Sequence, residues 1–96
     1  MSKWLKYSDR LMSHRESRLK EEELIELLND KEDEYGVVEV FKKNGKRDHC
    51  LLSRQYDLYE LPNYYRVSCK SIDKLKKKKL LKHHFVENRM EHWKMR

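Results

Sequence analysis

The chain has two glycines, one proline and two cysteines in 96 residues, and neither alanine nor threonine. Two glycines cannot build a phosphate-cradling loop or the strained turn that exposes a nucleophilic serine, so P-loop and hydrolase-elbow chemistries are excluded. Cys50 and Cys69 do not form a secreted disulfide framework and lack the close pairing with which one turn aims two thiolates at a zinc ion. His49, Cys50, Cys69, His83 and His84 supply enough donors for a metal, but their spacing is not that of a zinc site, so no metal and no cofactor is assigned. No apolar run approaches the roughly 18 residues of a membrane span, and the start MSKWLKYSDR has no signal-peptide core. The expectation is a protein of the reducing cytoplasm with free thiols and no membrane contact. The absence of alanine and threonine follows base composition as readily as any physical demand.

What the chain has in abundance is charge. Charged residues make up 42% of it against 38% apolar, yet six tyrosines, two tryptophans and two phenylalanines argue for a folded single domain over 1–96 with a small core. The net charge of +6 is unevenly placed. Eight acids face two lysines between Lys20 and Glu34, whereas ten bases face three acids between Lys70 and Arg96. A basic lobe of this kind attracts nucleic acid or an acidic protein, and the acidic segment can shield it or bind a partner of its own.

Hydrophobic spacing sets the expected elements. Trp4, Tyr7 and Leu11 predict a helix over 3–18, with Arg10, His14 and Arg18 on another face. Leu24, Ile25, Leu27 and Leu28 predict a second helix from Glu21 to Asp30, capped at Lys20, with Leu19 stapled onto Leu24. GVVEVFKK, Asn44-Gly45 and KRDHCLLS predict a β-hairpin with a two-residue turn, in which Val38 faces Leu51 and Val40 faces His49, making His49 a strand residue beside the core. The connector RQYDLYELPN is expected to pack over the sheet. NYYRVSCKSI reads as a third strand with Tyr65, Val67 and Cys69 inward and Arg66 on the polar face. The remainder has two readings: one long helix from about Ser71, or a fourth strand over about 78–87 followed by a short helix carrying Met90 and Trp93. Gaps in the helical stripe favour the strand. The expected architecture is α+β: two N-terminal helices packed on a three- or four-stranded antiparallel sheet, with a short C-terminal helix.

The tract KLKKKKLLKHHF, residues 74–85, is the strongest functional signal. Lys74, Lys76, Lys77, Lys78, Lys79 and Lys82 offer contacts to several backbone phosphates whether the tract is helical or extended. His83 and His84 end it. On a strand they face opposite sides, so at most one of them would lie beside Arg66 on the neighbouring strand. A titratable imidazole next to a fixed cation suits RNA cleavage, with the first accepting the 2′-hydroxyl proton and the second stabilising the phosphorane charge.

The order of these elements, with YYRVSCKSIDK leading into KKLLKHHFVENR, resembles the small RelE-type ribonuclease toxins and their BrnT-like relatives. SDRLMSHRESRLKEEELIELL is similar to the arginine-punctuated helix and acidic helix start of the latter. The resemblance implies an RNA-directed protein, a metal-independent endoribonuclease if it is catalytic. Tyr65, Arg66 and Val67 would form its Tyr-Arg-Val segment, and Arg66 with His83 or His84 its reaction centre. The long lysine run, the strongly acidic helix and the lack of a tyrosine after His84 depart from that pattern. A helical C-terminal segment would instead give an order similar to a double-stranded RNA-binding domain, without its lysine motif. The alternative from another class is a non-enzymatic inhibitor, of phage or mobile-element type, that binds a host protein or nucleoprotein through the basic lobe.

Overall fold

The computed structural model describes residues 3–12, 14–55 and 62–96. Its elements are α1 (Trp4–Tyr7), α2 (Glu21–Leu28), β1 (Gly36–Phe41), β2 (Arg47–Arg54), β3 (Asn63–Val67), α3 (Cys69–Lys77), β4 (Leu81–Glu87) and β5 (Met90–Met95). The strands form one antiparallel sheet in the order β3-β2-β1-β5-β4. The α+β composition is as expected, but the architecture is not. The sheet has five strands rather than three or four, the first helix is a single turn, and a strand takes the place of the C-terminal helix.

The first hairpin is paired as its sequence predicts, with Val38 opposite Leu51 and Val40 opposite His49. Its connection is longer than two residues. Gly45 N–H donates to the Lys42 carbonyl, Gly45 takes a left-handed φ of 89°, and the Asn44 side chain accepts from Lys46 N–H. A register irregularity between Val40 and Phe41 absorbs the extra length and leaves the core-facing set unchanged.

The C-terminal third departs most from expectation. After Val67 the chain turns into α3 rather than extending to Ile72, and Ile72 and Leu75 bury completely. The helix ends in a Schellman motif: Lys79 N–H donates to Lys76 C=O, Leu80 N–H donates to Leu75 C=O, and Lys79 sits at φ 58°. β4 and β5 are then joined by Asn88 and Arg89, both at positive φ, in the two-residue turn that matches the twist of a hairpin. Met90 and Trp93 thus lie on a strand, β5, which pairs with β1 on one side and β4 on the other.

Lys79 and Arg89 hold left-handed conformations in which a Cβ is strained, so Lys79→Gly and Arg89→Gly should each raise stability by roughly 0.5–1 kcal/mol in urea unfolding. No gain in either variant would mean that these turns are not formed as described.

One face of the sheet carries the core. Val37, Cys50, Leu52, Tyr65 and Val67 pack with Leu24, Leu27 and Leu28 of α2 and with Ile72 and Leu75 of α3. The helix expected over 3–18 stops after Tyr7, in a stretch where Ser8 and Asp9 favour backbone-bonded turns over helix. Arg10, His14 and Arg18 therefore share no helix face. Arg10 instead pairs with Glu23 and donates to the Arg18 carbonyl. Leu11 and Leu19 still bury, and Lys20 caps α2 with its backbone N–H donating to Glu23 Oε1 at 2.8 Å. The expected packing of the connector falls largely on residues 56–61, outside the described residues. Among the described residues no helix is long and apolar enough to cross a membrane.

The N-terminal turn is held to α2 by Glu26, which accepts from the Tyr7 hydroxyl and pairs with Lys6 and Lys3. These bonds lower the Glu26 pKa from 4.5 to about 2. A carboxylate depressed in the folded state stabilises above its unfolded pKa, and that contribution is lost as pH falls through the folded value. Trp4 reports on this attachment because it stacks on Tyr65 at 5.6 Å with the Arg54 guanidinium 4.3 Å from its ring. In a Trp93→Phe background, Trp4 emission should shift between pH 4.5 and 2, and Glu26→Gln should remove that dependence. An identical pH profile in the Gln variant would exclude Glu26 as the latch.

Candidate nucleic-acid interface

The lysine tract is split by the fold into anchoring and free members. Lys70, Lys74 and Lys77 recur at helical spacing along the solvent side of α3, and all three are exposed. Lys79 follows in the turn and Lys82 on β4, both exposed. None of these five has a salt-bridge partner among the described residues. Lys78 pairs with Glu21 at the start of α2, tying the end of one helix to the acidic beginning of the other.

Lys76 turns inward. Its Nζ lies 3.0 Å from Glu39 Oε1 and 4.8 Å from the centre of the Trp93 ring. Glu39 is 1% exposed on β1, and its other oxygen accepts from Arg47 at 2.9 Å. Arg47 also grips Asp73 with two bonds of 2.6 and 2.9 Å, which keep the guanidinium strongly protonated and hold the Asp73 carboxyl below its usual range. The carboxylate of α3 is thereby committed to Arg47. Glu39 and Asp73 are thus taken up by Arg47 and Lys76 and form no salt bridge to the outer lysines.

The histidine–arginine juxtaposition does not form as expected. Arg66 is on β3 and His83 on β4, the two edge strands, with β2, β1 and β5 between them. Four strand spacings amount to about 19 Å along the sheet. The faces differ as well. Arg66, opposite Leu51, is exposed on the helix-free face, whereas His83, opposite Trp93, is on the helix side, with its ring edge-on to Trp93 at 5.0 Å and its Nε2 3.8 Å from Glu91. His84 falls in the bulge between His83 and Phe85, exposed, with its ring 4.9 Å from that of Phe85.

No described helix lies on the opposite face of the sheet, where residues of β3 and β4 line one cleft of about 320 Å³. Gly36, Val38 and Ser53 belong to its floor; Tyr64 stands on one side and His84, Phe85 and His92 on the other. Phe85 and His92 stack with ring centres 4.1 Å apart and planes at 13°. Burial lowers the His92 pKa against the pull of Glu87, favouring the neutral ring. Lys82 and Lys94 pair across β4 and β5 on this same face. Sequence reading missed Lys70, Tyr64, Phe85, His92 and Lys94. Lys70 was legible as a lysine one turn before Lys74, and Tyr64 as the neighbour of Arg66 on the polar face of the third strand; Phe85, His92 and Lys94 depend on β5, whose hairpin carries neither Gly nor Pro at its turn.

Cys50 is buried on β2 and its thiol is pushed up by burial and by Cys69, the first residue of α3. Among the described residues no three His, Cys, Asp or Glu side chains converge as a metal site. Comparisons with family models, curated proteins and solved structures gave no match.

Proposed function

We propose that this chain binds RNA through the basic surface formed by Lys70, Lys74, Lys77, Lys79 and Lys82. The observation that carries the reading is the exposed stripe of Lys70, Lys74 and Lys77 on α3, a helix whose one acid, Asp73, is engaged by Arg47. Exposed lysines displace condensed ions when they meet phosphates, which gives sequence-independent and strongly salt-dependent affinity. Lys76 and Lys78 belong to the framework of that surface rather than to its contacts. No cleavage step is assigned to Arg66, His83 or His84: Arg66 and His83 stand on non-adjacent strands and opposite faces, and Arg66 is not among the residues lining the cleft that His84 borders.

Fluorescence anisotropy with a labelled RNA across a salt series tests the reading. Expected are binding at low salt, steep weakening as salt rises, and intact RNA after metal-free incubation. Failure to bind RNA at low salt overturns it. If DNA also fails to bind, a protein partner, the inhibitor alternative, becomes the explanation to pursue by pull-down. Cleavage that disappears in Arg66→Ala would restore the ribonuclease assignment.

A further inference from the structure

We infer that the cleft on the helix-free face receives an unstacked base of single-stranded RNA, which lies against the Phe85 ring while the lysines hold its phosphates. The inference rests on the RNA-binding reading and specifies the form of RNA. Phe85 and Tyr64 are large rings exposed at 41% and 37% on a sheet face that no described helix covers. Phe85 is already positioned by His92, which stacks on it, so a base meets an ordered platform. Stacking on such a ring is tolerant of sequence because every base has a π-face.

A further feature points to a polar guest. The Nε2 atom of His92, a residue of the cleft wall, is shielded from solvent and has no hydrogen-bond partner among the described residues. Charge supplies the occupant's identity as a polyanion. Lys94 lines the cleft, Lys82 is its cross-strand neighbour, and Lys79 is three residues earlier, within about 11 Å along the chain. The chain leaving α3 through Lys79 and Lys82 therefore carries positive charge to the aromatic face. Glu34 and Glu87 also line the cleft and offer acceptors to exocyclic amino groups of a base. A duplex, whose bases are paired and stacked inside, cannot use the cleft.

The test compares a short single-stranded RNA carrying one 2-aminopurine with the blunt duplex of the same sequence, at one low salt concentration. The expected results are preference for the single strand, quenching of the 2-aminopurine on binding, and about tenfold weaker single-strand binding in Phe85→Leu with duplex binding unchanged. Phe85→Trp, which keeps a stacking surface, should retain both affinity and quenching. Equal binding of the two RNAs, with Phe85→Leu without effect while replacement of the α3 lysines abolishes binding, overturns the stacking inference and leaves the RNA reading standing. No binding to either RNA overturns both. Should Phe85→Leu unfold, the quenching and the Phe85→Trp result decide.

Discussion

Arg47→Met should destabilise the protein by about 3–5 kcal/mol, a large part of the stability of a domain this size. Glu39 is 1% exposed and holds two cations, Arg47 at 2.9 Å and Lys76 at 3.0 Å. Loss of Arg47 leaves a desolvated carboxylate with a single ammonium and strips Asp73 of its bidentate partner. Lys76→Met should be milder, since Arg47 keeps both carboxylates. Removing the whole set, with Glu39→Leu, Arg47→Met and Lys76→Met together, should recover most of the loss, because an apolar cluster of similar volume avoids desolvating charge altogether. Urea unfolding with an unchanged dependence on denaturant is the measurement. A loss below about 1 kcal/mol for Arg47→Met would show that Glu39 is wetter than its burial indicates.

Joint replacement of Lys74, Lys77 and Lys79 by glutamine should lower RNA affinity at low salt by about two orders of magnitude and flatten the salt dependence by about two units of slope. The stability of this variant should stay within about 0.5 kcal/mol of the parent, because these side chains are exposed and have no ion-pair partner among the described residues. Lys76→Met is the informative contrast. It lies in the same run of four lysines, yet it should cost stability and leave the salt slope unchanged. Equal loss of affinity on replacing Lys76 and Lys77 would mean that the run acts as an undifferentiated charge, and the assignment of separate roles would fail.

The pattern of success along the chain has a common physical origin. Local alternation read the β1–β2 hairpin and its facing pairs, since a period of two fixes which residues share a face, although the turn at Asn44-Gly45 is longer than two residues and the irregularity after Val40 keeps the pairs in place. The stripe of α2 and its start at Lys20 were equally local. The first helix failed because the spacing of Trp4, Tyr7 and Leu11 says which residues bury but not whether the backbone between them is helix or loop. In the C-terminal third, α3 and β4 share one lysine-rich composition, and their boundary is set by a Schellman turn with lysine where glycine is usual. The β4–β5 turn uses Asn88-Arg89, so the hairpin passed unnoticed, and with it the pairing of β5 with β1.

That last pairing governs the candidate sites. Strand order cannot be read from neighbouring residues: inserting β5 beside β1 sends β4 to the far edge and separates Arg66 from His83, although their types and strands had been anticipated. Composition and spacing by themselves determined a small α+β chain with a concentrated C-terminal positive charge, because both are properties of residue type and short-range order. Only the tertiary structure decided which lysines are free, which are consumed by Glu39 and Glu21, and which rings share the helix-free cleft, because an ion pair or a stacked ring joins residues that the chain brings together solely by folding.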